Sequence, residues 1–377
     1  MKSIVAIAHC PGYGPAELDR ALAEAEELAP LPELRGASVL VKPNILISAD
    51  PDRAVTTHPE FLRAFVRLLK SRGASRVVAG DSPGWQPQDL AGRCTGLKEA
   101  AESEGAEWAD FSREAERECP SGKRVRRFTF AAALDEADLL VSLPKLKTHG
   151  LVRYTGAIKN LFGLVPGLGK SAFHLRFPDP ADFGSMLVDL ALAARPAYSM
   201  MDAVVAMEGH GPNNGKPRRL DLVLGSRDPL ALDWSAAGLI GYDPAEVGYL
   251  AEAAARGVSD PDFPWISGPG DIELRGARIE EVRPASFELV RGPHPGTDIF
   301  AGRMPAFLHR MVKNLGAPRP YFDQRACRRC GACVRICPPR ALRIEGRIEI
   351  DRDKCIRCYC CDEVCPHNAI RLRRRPW

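Results

Sequence analysis

The amino-acid sequence predicts an α/β fold with a layered, mostly parallel sheet over residues 1–290, followed by a small α+β domain at residues 319–377. In the first part, short β-branched runs alternate with segments of helical periodicity, a pattern typical of helices packed on a sheet. Nine cysteines crowded together after residue 326, eight of them in two regularly spaced runs, mark the second part. The 377 residues, 45% hydrophobic and 27% charged, suit a soluble protein of two or three domains.

Each predicted strand of the large domain is a short apolar run, and each predicted helix has apolar residues three or four apart. In the segment that begins at Pro59, Phe61, Phe65 and Leu69 share one face, and Gly73 ends the pattern. The predicted strands are Ser3–Ala8, Ser38–Val41, Arg76–Gly80, Val125–Phe130, Leu139–Leu143, Tyr198–Ala206, Leu220–Gly225 and Asp271–Ile279. The predicted helices are Pro15–Leu28, the segment from Pro59, Asp89–Glu104, Asp182–Ala194, Pro229–Ile240 and Pro244–Arg256.

Residues 291–318 are interpreted as a linker and a docking helix. The stretch Arg291–Gly296 is rich in Pro and Gly. Met304–Leu315 has the pattern of a short basic amphipathic helix, which suits a membrane surface or, better for its length, the docking of the small domain onto the large one.

The chain is expected to be cytoplasmic and not associated with a membrane. Its N-terminal apolar run, Ile4 to Ala8, is too short for a signal peptide, and no apolar stretch reaches about 18 residues. Unpaired cysteines indicate a reducing compartment.

The cysteines of the small domain form two runs with the same spacing, the second offset by 28 residues from the first. This spacing is the pattern of iron–sulfur proteins that hold two clusters, in which the last cysteine of each run ligates the cluster of the other run. Zinc needs no third cysteine six residues after the first, and disulfides suit small secreted chains, so both alternatives fit less well. The runs are Cys327-x2-Cys330-x2-Cys333-x3-Cys337 and Cys355-x2-Cys358-x2-Cys361-x3-Cys365.

Residues 320 to 372 thus resemble a bacterial ferredoxin, and the resemblance implies two [4Fe–4S] clusters. It also implies that each half of the domain contributes a short hairpin and a helix, related by pseudo-twofold symmetry. Cys360 lies outside the pattern and is expected to be a packed thiol. The implied ligands are Cys327, Cys330, Cys333 and Cys365 for one cluster, and Cys355, Cys358, Cys361 and Cys337 for the other.

The small domain is basic, with 15 Lys and Arg against 7 Asp and Glu in residues 319–377, whereas the whole chain has a net charge of only +4. Cluster thiolates would offset much of this charge. A redox partner protein is expected, and the arginines at positions 371 and 373–375 suit an acidic partner better than they suit nucleic acid. A solvated terminus is the simplest explanation of these arginines.

Several stretches of the large domain resemble the family catalogued as domain of unknown function 362, which often occurs fused to a ferredoxin domain. The resemblance spans most of residues 1 to 290 and implies an iron–sulfur protein without fixing its reaction. The stretches are Val41-Lys42-Pro43-Asn44, Gly80-Asp81-Ser82-Pro83-Gly84, Leu143-Pro144-Lys145-Leu146-Lys147-Thr148-His149, Gly156-Ala157-Ile158-Lys159-Asn160-Leu161-Phe162-Gly163 and Asp228-Pro229-Leu230-Ala231-Leu232-Asp233.

Polar residues of these stretches follow the predicted strands, where open α/β sheets bind their ligands. Converging lysines there would hold a carboxylate or phosphate, although scattered surface charges are the alternative. His149 is the expected proton donor, because an ordinary histidine titrates near pH ~6.5. The catalytic candidates are His149, Lys145 and Lys159, and the candidates for binding a cofactor or anionic substrate are Lys42, Asn44, Asp81, Ser82, Lys147 and Asn160.

Two further motifs are weaker. Glu208 and His210, with Asp202, Asp228 and Asp233, are candidates for a metal site or an acid–base pair, but their spacing is not that of known ligand sets. The segment 163–171 resembles a nucleotide-binding loop, but it has five residues where that motif has four, so it is interpreted as a Gly-rich loop near the pocket.

The preferred hypothesis is an iron–sulfur oxidoreductase that passes electrons from the ferredoxin domain to an anionic substrate or cofactor in the α/β domain. Two alternatives remain open. One is an electron carrier or adaptor without catalysis of its own. The other is a non-redox enzyme whose clusters are structural.

Overall fold

A computed structural model describes residues 2–290 and 318–373 of the protein. Ten strands of the large domain form one sheet with the order β12-β1-β11-β10-β7-β2-β3-β4, and β8 pairs with β10 and β9. The strands are β1 (Ser3–His9), β2 (Ser38–Pro43), β3 (Arg76–Ala79), β4 (Glu107–Trp108), β5 (Glu114–Glu118), β6 (Arg127–Ala131), β7 (Leu139–Leu143), β8 (Lys145–His149), β9 (Arg153–Thr155), β10 (Tyr198–Glu208), β11 (Lys216–Ser226) and β12 (Ile272–Gly276).

The sheet is mostly parallel, as the sequence predicts. Among the described residues, six of its strand pairs are parallel, and only β1–β11, β10–β11 and β8–β9 are antiparallel. Because β2, β3 and β7 run side by side in the same direction, the residues that follow them meet at one edge of the sheet.

Helices cover both faces of the sheet, because strand residues alternate between two apolar cores. In β2, Leu40 belongs to the core under α5 and α7–α9, whereas Val39 and Val41 belong to the core under α1–α4. The helices are α1 (Pro15–Leu28), α2 (Pro59–Ser71), α3 (Gln88–Cys94), α4 (Leu97–Ser103), α5 (Ala157–Asn160), α6 (Gly169–Arg176), α7 (Pro180–Ala194), α8 (Pro229–Leu239), α9 (Gly248–Ser259) and α10 (Ile279–Val282).

Several segments differ from the prediction; the helix predicted over Pro244–Arg256, for example, begins at Gly248 and ends at Ser259. The predicted helix Asp89–Glu104 is split into α3 and α4, because Gly96 has a φ of +73°, which interrupts a helix. The predicted strand Asp271–Ile279 ends at Gly276, where φ is +83°. Strand β5 was missed because its alternating charged residues give no apolar signal; it forms a separate antiparallel pair with β6.

Strand β8 is the difference that matters for function. The sequence predicts Lys145–His149 as a loop after β7, but these residues form a strand that pairs with both β10 and β9. All five are buried. Their polar side chains therefore lie inside the protein instead of on a surface loop.

The small domain contains four strands and two short helices, and its halves repeat at the offset of 28 residues. Strand pairing corrects the expected arrangement: β13 pairs with β16 and β14 with β15, so each pair joins one half to the other instead of forming a hairpin within a half. The elements are β13 (Arg319–Phe322), α11 (Ala332–Ile336), β14 (Leu342–Glu345), β15 (Arg347–Ile350), α12 (Cys360–Glu363) and β16 (Ile370–Arg373).

The predicted linker Arg291–Gly296 and docking helix Met304–Leu315 lie outside the described residues, as do Arg374 and Arg375. No helix in the described part of the chain is long and apolar enough to cross a membrane.

Candidate functional site

The small domain packs on the large domain through its two helices. Ile336 of α11, Cys360 of α12 and Val364 form an apolar cluster with Trp85 of the large domain. Polar contacts cross the same boundary between His210 Nε2 and Asp362 Oδ2 (2.9 Å), Asn213 Nδ2 and Cys365 O (2.9 Å), Asn214 Nδ2 and Asp362 O (3.3 Å), and Ser171 Oγ and Ile336 O (3.4 Å).

A cleft of about 720 Å³, its open mouth included, lies along this boundary. The large domain lines it with the segments after β2 and β3, with β8 and with residues between 155 and 174. The small domain closes it with Ile336, Cys360, Glu363 and Val364. The sequence-predicted residues that line the cleft are Asn44, Asp81, Ser82, Lys147, His149, Lys159 and Asn160.

A buried ion pair forms the base of the cleft. Lys42 Nζ lies 2.8 Å from Asp81 Oδ1 and also donates to Asn160 Oδ1 (3.1 Å). Asp81 Oδ2 accepts the N–H of Ile45 at 2.6 Å, which fixes the segment after β2. Burial lowers the pKa of Lys42, and the Asp81 carboxylate opposes that effect. The two charges cancel, so this pair orients neighbouring residues without adding net charge to the cleft.

Three lysines on the cleft have no ion pair with a described carboxylate. Lys147 Nζ donates to Asn44 Oδ1 (2.6 Å) and to the carbonyl of Val55 (2.7 Å). Lys170 Nζ donates to the carbonyls of Ser82 (2.8 Å) and Val165 (2.7 Å).

Lys159 is the least satisfied of the three. Its Nζ lies 5.0 Å from the centre of the Phe162 ring and makes no hydrogen bond or ion pair among residues 2–290 and 318–373. All three of its N–H donors are therefore available to a bound ligand.

Burial lowers the pKa of all three lysines, because an ammonium group loses its hydration in the protein interior. The pKa falls to about 7 for Lys147, where the charges of Lys159 and Lys145 add to the burial effect. It falls to about 7 for Lys170 as well, and burial also lowers the pKa of Lys159. The cleft thus holds cations that an anion would stabilise.

His149 lines the cleft, but its pKa is not that of an ordinary histidine. Burial and the nearby charges of Lys159 and Lys147 hold its pKa well below the usual value, which corrects the expectation of a pKa near neutrality. Its Nδ1 accepts the N–H of Leu151 (3.1 Å), so the neutral ring carries its proton on Nε2. That Nε2 lies 3.4 Å from Glu363 Oε1.

Lys145 lies away from the cleft. Its Nζ contacts Asp202 Oδ2 (2.9 Å) and the hydroxyl of Tyr13 (2.8 Å), and both charged side chains are almost fully buried. The alternation of side chains along β8 does not explain this, because residues 145, 147 and 149 lie two apart and share one face of the strand. The position of Asp202 on the paired strand β10 directs Lys145 elsewhere.

The second group of candidates, around Glu208 and His210, does not converge. Each member has a separate partner, and no three of these side chains are grouped so that they could hold a metal ion. The partners are Glu288 N for Glu208, Asp362 for His210, Lys145 for Asp202, the N-terminus of α8 for Asp228, and the N–H groups of residues 157 and 158 for Asp233.

The lining residues that the sequence did not predict include Lys170, Ser171, His174 and Glu363. Lys170 and Ser171 lie in the Gly-rich segment that was placed near the pocket, so a local signal existed for them. His174 stacks on Phe183 at 4.4 Å, and burial lowers its pKa to about 3. Glu363 belongs to the cysteine repeat, and no local pattern connects it with lysines of the large domain.

The cysteines of the small domain lie in two groups. Cys327, Cys330 and Cys333 of the first run line a pocket of about 360 Å³, its open mouth included, together with Cys365 of the second. Apolar residues such as Phe322, Ile344 and Ile370 also line it, as do Arg328, Arg329 and His367. Cys337 lies close enough to Cys355 and Cys358 for their charges to add to burial in raising its pKa, and the same two residues act on Cys361. Four thiols around one pocket fit the ligand set of a [4Fe–4S] cluster.

Comparisons with known proteins agree with this arrangement. Residues 39–238 match the family described as domain of unknown function (DUF362), and residues 326–369 match the 4Fe-4S dicluster domain. A thylakoid-associated protein of Synechocystis sp. is 31% identical over 262 residues, which cover 68% of this chain and 80% of that protein.

Among solved structures, the lactate racemase apoprotein from Thermoanaerobacterium thermosaccharolyticum matches with a TM-score of 0.42 and 15% identity. The match covers 64% of this chain and 57% of the racemase chain. The family matches, together with the cysteine array, identify an iron–sulfur protein. The chain belongs to the DUF362 family and carries a C-terminal 4Fe-4S dicluster domain.

Proposed function

We propose that the protein is an oxidoreductase with two [4Fe–4S] clusters that exchanges electrons with a small anion bound in the cleft between its domains. Such clusters supply one-electron transfer at a potential set by their surroundings. The proposed ligands are those implied by the repeat: Cys327, Cys330, Cys333 and Cys365 for one cluster, and Cys355, Cys358, Cys361 and Cys337 for the other.

One observation carries the proposal: the cleft has cationic walls on one side and the second cysteine repeat on the other. Cys360, which lines the cleft, lies between the proposed ligands Cys358 and Cys361 in the sequence. A ligand held by Lys159 would therefore be next to the second cluster. A shared wall between the ligand site and the helix next to the cluster ligands is what electron transfer between ligand and cluster requires.

The charges of the cleft favour a ligand with two negative charges. When protonated, Lys147, Lys159 and Lys170 contribute three cations, and Glu363, whose pKa burial raises to about 7, contributes at most one carboxylate; the Lys42–Asp81 pair is neutral overall. Because buried charges without partners are unfavourable, a dianion such as a phosphate ester or a dicarboxylate would balance the site.

His149 would orient the ligand rather than act as a strong acid. Its neutral ring offers the Nε2 proton toward the cleft, and the hydrogen bond at Nδ1 holds the ring in place. Asn44 also lines the cleft, and Lys147 fixes its amide group. Asn160 is hydrogen-bonded to Lys42 and Ser142, so it holds the base of the cleft in place. His149 and Asn44 would position an anion whose charge the lysines neutralise.

Two measurements on anaerobically purified protein test the proposal. Native mass spectrometry should show the mass of two [4Fe–4S] clusters, and isothermal titration calorimetry should show binding of inorganic phosphate or succinate. Lys159→Met should weaken that binding about tenfold or more, through loss of charged hydrogen bonds. Lys216→Met is the matched control, because Lys216 is an exposed lysine at the start of β11 and does not line the cleft.

The redox part is tested by reducing the clusters with dithionite, removing the excess and adding any small molecule that native mass spectrometry finds bound. Reoxidation that depends on this molecule and slows in Lys159→Met supports the proposal. Clusters that resist reduction would instead indicate a structural role, and reoxidation by partner proteins alone would indicate an electron carrier. Zinc in place of iron would overturn the assignment of the cysteines.

A further inference from the structure

The two cysteine repeats have the same backbone but different surroundings. Arg329 and Arg357, at corresponding positions, have φ values of 55° and 57°, and Arg340 and Asn368 have 51° and 48°. The repeats therefore superimpose in conformation, so differences between corresponding side chains reflect different environments rather than different folds.

The second repeat faces the cleft. Cys360 and Glu363 are on its helix and line the cavity, and Cys361 and Cys365 are buried. In the first repeat the corresponding residues are Ala332 and Arg335, and the Arg335 guanidinium stacks over Trp85 at 4.8 Å. The helix of the second repeat is thus buried between the two domains.

In the first repeat, α11 also packs on the large domain, but the loop before it faces solvent. Of the eight motif cysteines, all within the described residues, Cys330 alone is exposed; its counterpart Cys358 is partly buried. Arg325, Arg328 and Arg329 precede it and are exposed as well. We call these three arginines and Cys330 the arginine surface.

Little within the protein neutralises this surface. None of the three arginine side chains makes an ion pair with a carboxylate in the described chain. The acidic neighbour Asp323 accepts the backbone N–H groups of Arg325 (2.9 Å) and Ala326 (3.3 Å), so it caps the loop. In the second repeat, the positions of Arg325 and Arg328 are held by Asp353 and Ile356. The corresponding segment of the second repeat carries Arg352, Lys354 and Arg357 against Asp351 and Asp353, so the excess of positive charge is larger in the exposed repeat.

We propose that the arginine surface is the docking site for an acidic electron-transfer protein. This goes beyond the proposed function, because it concerns the protein partner and not the ligand of the cleft. An exposed cluster ligand gives a partner close access to the first cluster, and an uncompensated cationic surface attracts an acidic protein and orients it. Each encounter would move one electron: the partner's reduced centre loses it and the cluster gains it, with no transfer of a proton or a group.

Arginine suits such an interface better than lysine. Its planar guanidinium binds carboxylates through two parallel hydrogen bonds and is more weakly hydrated, and arginine is enriched in protein interfaces. The two repeats of the small domain would then work in series: electrons enter at the exposed first repeat and reach the cleft at the buried second repeat.

The test compares the full-length, cluster-loaded protein with the variant Arg325→Glu/Arg328→Glu/Arg329→Glu. The readouts are its affinity for a flavodoxin, as an acidic one-electron donor, and the stopped-flow rate of cluster reduction by reduced flavodoxin. At low ionic strength both should fall about tenfold or more, and the difference from the unmodified protein should shrink as salt is added. Reduction by dithionite and cluster absorbance should not change, which shows that the variant has kept its clusters.

The control variant Arg20→Glu/Arg126→Glu/Arg278→Glu makes the same change of net charge on exposed arginines of the large domain. It should react with flavodoxin nearly as fast as the unmodified protein. Cytochrome c, a basic protein, should react faster with the arginine-surface variant than with the unmodified protein. Equal losses in both triple variants would show that only net charge matters, and an unchanged flavodoxin affinity in the first would place the docking site elsewhere; either result overturns the proposal.

Discussion

At the scale of single residues, the two buried lysines Lys145 and Lys159 have different roles, one in stability and one in ligand binding. Lys145 is paired with Asp202 at 2.9 Å, so its charge is compensated within the fold. Lys159 makes no ion pair or hydrogen bond among the described residues, and its Nζ lies near the ring of Phe162. Burial lowers the pKa of both. The first lysine contributes to stability, whereas the second is held ready for a ligand.

This contrast predicts opposite effects for the same substitution. Lys159→Met keeps a chain of similar length and removes an uncompensated charge, so the ligand-free protein should be as stable as the unmodified protein or more stable. Lys145→Met leaves the buried Asp202 carboxylate without its partner and should cost about 3–5 kcal/mol of unfolding free energy. Anaerobic thermal and urea unfolding measure both.

Anion binding separates the two variants in the reverse order. Phosphate should raise the unfolding temperature of Lys145→Met but not that of Lys159→Met, since ligand binding to the folded state stabilises it. If Lys159→Met proved the more destabilised of the two, the assignment of roles would be wrong.

The pKa values near 7 of Lys147 and Lys170 predict a pH dependence. Both are charged below this pH and lose their protons above it, so anion affinity should fall as pH rises from about 6 to 9. At neutral pH, binding should take up protons, because the anion favours the charged lysines. Calorimetry in buffers with different ionisation enthalpies measures this uptake; proton release, or an affinity independent of pH, would contradict the prediction.

The stability of the ligand-free protein should change in the opposite sense. In the unfolded chain these lysines keep their protons up to the ordinary pKa of 10.5, whereas in the folded protein they lose them near 7. The unfolded state therefore binds more protons between these values, and the contribution of both residues to stability rises with pH across that window.

Residues that act through local spacing were predictable, and those that act across the domain boundary were not. The cysteine ligands follow a repeat that can be counted in the sequence. Lys42, Lys147 and Lys159 sit in motifs next to Gly and Pro, and the cleft brings Lys147 and Lys159 together. Glu363, in contrast, reaches the cleft only because α12 packs on the large domain, and this packing depends on Trp85 and Val364, which have no sequence pattern in common.

At the scale of elements, the tight turn between α5 and α6 positions the base of the cleft. Gly163 passes so close to the Lys42–Asp81 pair that a Cβ atom there would overlap Asp81 Oδ1 and lie 2.7 Å from Lys42 Nζ. The carbonyl of Gly163 also accepts the N–H of Ser82 at 3.2 Å. The absence of a side chain is what allows the turn and the ion pair to share this space.

Gly163→Ala adds only one methyl group, but it should strongly destabilise the protein. Separating a buried ion pair costs about 3–5 kcal/mol, and the displaced Asp81 would also release the segment after β2. Gly270→Ala is the control, because no atom lies within 4 Å of its Cβ position. Urea unfolding of both should show a loss of that size for Gly163→Ala and almost none for Gly270→Ala; equal stability would mean that the turn can shift without separating the pair.

Elements were predictable where apolar periodicity determines them. Helix α1 coincides with its predicted bounds, Pro15–Leu28, because its apolar residues lie on one face. Strand β8 was missed for a physical reason: its lysines and histidine suggest solvent, and only the long-range pairing with β10 and the cover of neighbouring segments bury it. A strand of charged residues inside a protein indicates a site, but the sequence alone cannot distinguish it from a loop.

At the scale of the whole molecule, the two domains differ in how they are stabilised. The large domain has two extensive apolar cores, one on each face of its sheet. The small domain has a few buried residues, and the cysteines themselves belong to its apolar cluster with Phe322, Leu342 and Ile370. A domain of this size has too little core to fold alone, so bound clusters and folding are expected to depend on each other.

This difference predicts what happens when iron is removed. Oxidation and chelation should unfold the small domain and leave the sheet of the large domain intact. The cleft would then lose the wall formed by Ile336, Cys360 and Glu363, and Lys159 would become solvated. Phosphate affinity should fall, because a hydrated lysine gains less from an anion than a buried one does.

Hydrogen–deuterium exchange with mass spectrometry measures both parts of this prediction. After iron removal, exchange should increase throughout residues 318–373 and in the segment of Asn213 and Asn214, whose side chains bind carbonyls of the small domain. Strands β2, β7 and β10 should keep their protection, and anaerobic reconstitution should restore the original pattern. If the sheet lost protection at the same time, the domains would form one cooperative unit; if the small domain stayed protected, the clusters would not be what holds it together.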